Sequence, residues 1–131
     1  MSLVDQALDL LLRHDMAGFS NLFAEDAVLE FPFAAPGDRT EVTGRAAIAD
    51  YLRGYPDLLD IREVVAKTEH QTTDPATVIA EFELAGVVTA TQKPYRMRYI
   101  AVLTVRDGLF QHYRDYWSPL AAAEILGATG V

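Results

Sequence analysis

Tyr113, Asp115 and Trp117 stand two residues apart in Leu109-Phe-Gln-His-Tyr-Arg-Asp-Tyr-Trp117, so a strand there puts one carboxylate between two aromatic rings on one face. Burial among rings raises a carboxyl pKa toward the range useful to a general acid. The competing reading is an Asp that only pairs with an arginine or caps a neighbouring loop. Arg98, in Tyr95-Arg-Met-Arg-Tyr-Ile-Ala-Val102, shares a strand face with Arg96, Ile100 and Val102. If that face lines a pocket, Arg98 lies near Asp115 and its fork can hold a carboxylate or phenolate. If it is the convex face, both arginines serve solvent or a dimer contact, and a one-residue slip decides between the two.

Other chemistries find little support. His14, His70 and His112 are far apart and make no ligand spacing, so no metal is expected. Ser2, Ser20 and Ser118 lie in no nucleophile elbow, and no glycine-rich phosphate loop is present. The absence of cysteine removes disulfides and thiolate chemistry and is compatible with a reducing, cytoplasmic setting. No cofactor is expected. A formal charge of −8 and a pI near 4.7 repel phosphate backbones, which argues against nucleic acid. No apolar run approaches the roughly 20 residues of a membrane span, and Met-Ser-Leu-Val-Asp lacks the basic start of a signal peptide. At 131 residues, half of them apolar, the chain is expected to form a single globular domain over 1–131.

The positioning elements follow from pattern. Ser2 and Asp5 resemble a capping box for a helix from Leu3 to His14, and Asp15 N-caps a second helix from Met16 to Phe23. Ala27 to Phe33 reads as a strand with Pro32 at an edge or end, Ala34 to Arg39 as a loop, and Glu41-Val42 as a short strand. Thr43 is expected to N-cap a third helix, Gly44 through Arg53, closed by Pro56-Asp57, with Tyr51 and Tyr55 directed toward the sheet. A four-strand meander follows: Ile61–Gln71, Thr77–Thr89 with a bulge at Gly86, Tyr95–Arg106 and Leu109–Trp117, the last two joined at Asp107-Gly108. Ser118 and Pro119 start a last helix, Leu120 to Leu126, which Gly127 stops, and Ala128 to Val131 are expected to fray. The fold class is α+β: a cone-shaped, curved antiparallel sheet packed against three N-terminal helices, with an apolar pocket in its mouth.

This order of elements, with Leu22-Phe-Ala-Glu-Asp-Ala-Val28, Thr43-Gly-Arg-Ala-Ala-Ile48 and Asp107 through Trp117, resembles the SnoaL-like and ketosteroid-isomerase-like group of the nuclear transport factor 2 superfamily. The resemblance spans nearly the whole chain and implies the cone, while the superfamily hosts isomerases, cyclases, dehydratases, epoxide hydrolases and non-catalytic binders. Carried over, the general base of ketosteroid isomerases falls on Phe31, their oxyanion tyrosine on Ala7 and its assisting Asp on or near Ile100, so a literal steroid isomerase is disfavoured. Limonene-type epoxide hydrolases leave Arg98 and Asp115 from their triad, with the paired Asp again at Ile100. The acid of the PhzA/PhzB phenazine-biosynthesis proteins falls on Asp115 and their pocket His near Tyr51. The resulting expectation is a cofactor-independent isomerase, cyclase or dehydratase in which Asp115 transfers a proton and Arg98 or a tyrosine steadies negative charge. Phe31, Phe33, Tyr51, Tyr55, Tyr113 and Trp117 would line a site for a small, largely apolar or aromatic molecule. A homodimer through the convex sheet is also expected. The alternative is a non-catalytic ligand-binding or structural dimer module.

Overall fold

In the computed structural model, described here for residues 1–126, the capping box forms as read: Ser2 Oγ accepts from the Asp5 amide at 3.0 Å and Asp5 accepts in return from the Ser2 amide. Helix α1 spans Leu3–Leu12 and α2 spans Met16–Ser20, with the Asp15 side chain capping at the Gly18 amide. Phe23 does not end α2 but begins β1, Phe23–Glu30, because Phe23 and Ala27 are wholly buried at strand positions. β2 is Glu41–Thr43, and the N-cap of α3 (Arg45–Leu52) is Gly44 at φ 93 rather than Thr43, whose backbone belongs to the strand. A short α4, Tyr55–Leu58, occupies the stretch read as a simple stop, with Pro56 in its first turn, where a missing N–H costs nothing.

The meander is β3 Leu59–Gln71, β4 Thr77–Val88, β5 Pro94–Arg106 and β6 Leu109–Trp117, followed by α5, Pro119–Leu126. The expected stop at Gly127 and the tail Ala128 to Val131 lie outside the described residues. The curved sheet has the order β2-β1-β6-β5-β4-β3; all pairs are antiparallel except β1–β6, which is parallel. Asp107 and Gly108 both take positive φ, 54° and 75°, as a two-residue primed turn between β5 and β6 requires. Gly86 faces the bulged part of β3, and a Cβ there would stand 1.9 Å from the Asp60 carbonyl oxygen, so only glycine lets the two backbones approach.

Helices α1 to α3 cover one face of the sheet, here called inner. Val4, Ala7 and Leu8 of α1 and Ile48 of α3 pack with Phe82, Ala101, Leu103 and Phe110 from the strands into one core. The outer face carries Glu81, Glu83, Arg96, Arg98, Ile100 and Tyr116. Among the described residues no helix is long and apolar enough to cross a membrane.

Candidate functional site

The inner face of β5 is Tyr95, Met97, Tyr99, Ala101 and Leu103, all buried or half-buried by alternation. Across the ladder Tyr99 faces Trp117, Ala101 faces Asp115 and Leu103 faces Tyr113, which brings the three residues spaced two apart on β6 to that face. A bulge sets the phase: Val105 pairs with Phe110 and Thr104 with His112, so Gln111 is extra and both Phe110 and Tyr113 point inward. Beneath Asp115, Tyr113 packs against Phe23, Phe19 and Phe110 at ring separations of 5.7, 6.4 and 5.3 Å. Above it, Trp117 meets Phe31 edge-on at 5.4 Å, and Phe31 meets Tyr51 at 5.3 Å.

Asp115 as a residue keeps some exposure, but its Oδ1 is buried with no hydrogen-bond partner. Burial alone pushes the carboxyl up to about 7. No cation relieves it: Asp115 enters none of the ion pairs among the described residues. Its charge is felt at four hydroxyls, Tyr51, Tyr55, Tyr99 and Tyr113. Burial pushes Tyr55 up to about 12, an effect the neighbouring Tyr99 hydroxyl partly offsets, and holds Tyr99 and Tyr113 well above the ordinary phenol range. All four are therefore neutral donors at pH 7. Among the described residues no three His, Asp or Glu side chains gather as a metal cluster.

Two of the site residues read from sequence stand elsewhere. Arg98 does not pair with Asp115: it lies on the outer face, its side chain 89% exposed and its Nε 3.7 Å from Glu83 Oε1. Strand parity makes the two positions mutually exclusive, since Ala101, not Ile100 or Arg98, shares the face of Asp115. For the same reason an inner-face acid carried over to β5 would have to stand at Tyr99 or Ala101, and the placement on Ile100, 44% exposed outside, is one residue out of phase. Phe33 follows the chain turn after β1 to the outer side, where its ring meets Tyr116 at 5.1 Å and it is 54% exposed. Tyr99 is the residue the sequence reading passed over. Its signal was available, because it alternates in phase with Met97, Ala101 and Leu103.

The mouth of the inner face is partly open, with Tyr51 44% exposed and both Asp115 and Trp117 half-buried. The deep end of that face, walled by Leu8, Phe19, Phe82, Phe110 and Tyr113, holds a cavity of about 10 Å³, at the lower limit for a single water. An open trough of about 730 Å³ lies on the opposite sheet face, floored by Ile100 and Tyr116 and flanked by Phe33, Arg98 and Glu83, with Tyr99 and Trp117 also at its lining. Asp115 is not among the residues that line that trough. Helix α5 joins a second apolar cluster on the inner face: Ala122 is buried with Leu59, Val88, Tyr95 and Met97, and Ala121, Ile125, Tyr55, Tyr99 and Trp117 pack against that cluster. Trp117 is the chain's single tryptophan. A chain ending at Ser118 is expected to stay folded, since the larger core excludes α5, and to show greater acrylamide quenching of Trp117 fluorescence; unchanged quenching would mean that α5 does not cover the site.

Comparison with known proteins agrees with this architecture. A SnoaL-like domain model matches residues 4–113. The chain is 42% identical over 119 residues to the uncharacterised protein YesE of Bacillus subtilis, covering 91% of this chain and 81% of that one. It is 40% identical over 121 residues to the uncharacterised PhzA/B-like protein PA3332 of Pseudomonas aeruginosa, covering 92% and 85%. A crystal structure from Bacillus subtilis, of a protein provisionally described as an isomerase, superposes with a TM-score of 0.86 at 38% identity, over 100% of this chain and 98% of that one. With a family model spanning most of its length and two relatives at this identity, the chain belongs to the SnoaL-like family.

Proposed function

We propose that the chain is an acid–base catalyst, working without a cofactor, that isomerises, cyclises or dehydrates a small, largely apolar or aromatic carbonyl compound on the inner face of the cone. The observation that carries this is Asp115: a carboxyl titrating near 7, without a countercharge, among aromatic rings. Such a group can give or take a proton near neutral pH with little driving force wasted. Of Arg98 or a tyrosine as the group that steadies negative charge, Tyr55 and Tyr99, neutral donors beside the carboxyl, fit the role. The likeness to a structure provisionally described as an isomerase supports the reaction class. The test is turnover of a panel of enolisable aromatic and alicyclic ketones: kcat/KM should change through an inflection near pH 7, and Asp115→Asn should abolish it. A flat profile across pH 5 to 9 would count against Asp115.

A second reading, a non-catalytic ligand-binding or structural dimer module, is favoured by the small size of the deep inner-face cavity and by the apolar residues at Ala7 and Phe31. Either reading uses the outer trough as a homodimer surface. Phe33, Ile100 and Tyr116 are apolar there, and Arg98 and Glu83 alternate so that each can meet the other's counterpart across a twofold axis. Ile100→Lys is expected to raise the dimer dissociation constant by about tenfold or more, measured by sedimentation equilibrium; an unchanged constant would place the interface elsewhere.

A further inference from the structure

We propose that the ligand of the inner-face site carries a basic nitrogen: a small organic ammonium ion, its charge against Asp115 Oδ1 and its carbon body against the rings of Phe31, Tyr51, Tyr55, Tyr99 and Trp117. This rests on the inner-face site described above and adds the class of ligand. The unmet group is an acceptor, so the ligand that completes it must bring a donor to that oxygen. Among the carbonyl compounds proposed above, one that also carries an amine brings such a donor to Oδ1, whereas an anion would meet a like charge.

The protein supplies no cation of its own at this point. Arg96 and Arg98 are on the other sheet face, and Lys67 is held by Asp5 at 2.5 Å and Glu69 at 2.6 Å. Arg39 stands over the Tyr51 ring at 5.8 Å, and among the described residues it forms no ion pair with Asp115. The countercharge is therefore left to the ligand. Aromatic faces around a carboxylate are the chemistry that receives alkylammonium groups, since the ring quadrupole attracts the cation while the ring surface covers its carbons. A chain of net charge −8 also draws cations toward its mouth and repels anions. The titratable groups facing Asp115 are Tyr51, Tyr55, Tyr99 and Tyr113, all held protonated at neutral pH, so a bound ammonium changes the proton count at Asp115 alone. It holds that residue as a carboxylate, which would then enter any reaction as the base.

The experiment is isothermal titration of the full chain, and of Asp115→Asn, with benzylammonium chloride, benzyl alcohol and sodium benzoate, with Trp117 fluorescence read in parallel. Benzylammonium should bind about tenfold or more tightly than benzyl alcohol, lose that advantage in Asp115→Asn, and release protons on binding at pH 6 to 7, seen as a buffer-dependent enthalpy. Equal affinity for the alcohol and the ammonium, or an ammonium affinity unchanged in Asp115→Asn, overturns the ligand class while leaving the site in place. If all three probes leave Trp117 and the titration heats unaffected, the ligand class falls too. The pH profile of turnover then decides separately whether the site itself is catalytic.

Discussion

Asp115→Asn is expected to make the protein more stable at pH 8 while removing its turnover. The carboxyl titrates near 7 in the folded chain, against 3.8 for an aspartate free in water. Between those values the folded protein keeps a proton that the unfolded chain has given up. Stability therefore falls as pH rises through that window and levels off above 7. Three pH units correspond to about 4 kcal/mol, an upper bound for a group whose surroundings can relax. Asparagine keeps the shape and carries no charge, so the variant should recover much of that energy at pH 8 and little at pH 4. Urea denaturation at the two pH values measures the difference. A wild-type stability that does not decline between pH 4 and 8 beyond the slope of the variant would show that the carboxyl titrates normally. The expected loss of rate is about 10²- to 10⁴-fold, the usual contribution of a positioned acid or base. A residue that destabilises the fold while carrying the chemistry is a common form of the trade-off between stability and activity.

Much of this is legible in the sequence because the period of the pattern is strong. β6 can be read with its observed boundaries, the Asp107-Gly108 turn follows from residue type, and Ser2 with Asp5 fixes the first helix start. What fails is phase between elements. Arg98 and Asp115 each lie in a well-marked strand, yet nothing local says which face of β5 meets the helices; that choice is made by Tyr95, Met97, Tyr99, Ala101 and Leu103 packing against the inner side. Phe33 is lost to a turn after Phe31, where strict alternation would have kept both rings on one face. The run from Ala27 to Phe33 is likewise shifted, since β1 begins at Phe23. Helical spacing continues into Phe23, and only its contacts with Phe110 and Tyr113 across the sheet place it in a strand.

Phe110→Ala should cost about 3–5 kcal/mol, a large share of the roughly 5–15 kcal/mol that holds a domain of this size together. Phe110 is 0% exposed, and its ring lies 5.3 Å from Phe23 and 5.3 Å from Tyr113, so the space left by its removal is walled by rigid rings that cannot close over it. The effect should reach the site as well as the core. Phe110 and Tyr113 share a face only because Gln111 is taken up by the bulge, and the pair fixes the phase of Asp115 and Trp117 above them. With the ring gone, Tyr113 loses its support on that side, the floor beneath Asp115 loosens, and water gains access to a carboxyl whose pKa is set by burial alone. Two measurements separate these consequences. The urea midpoint should fall with an unchanged m-value, as for a native state that is intact but less well packed. The Asp115 side-chain carbon, followed by NMR across pH, should titrate below the wild-type value of about 7. If the midpoint falls and the titration does not move, the aromatic floor supports the fold without tuning the carboxyl, and its burial must come from Trp117 and the helix α5 above it.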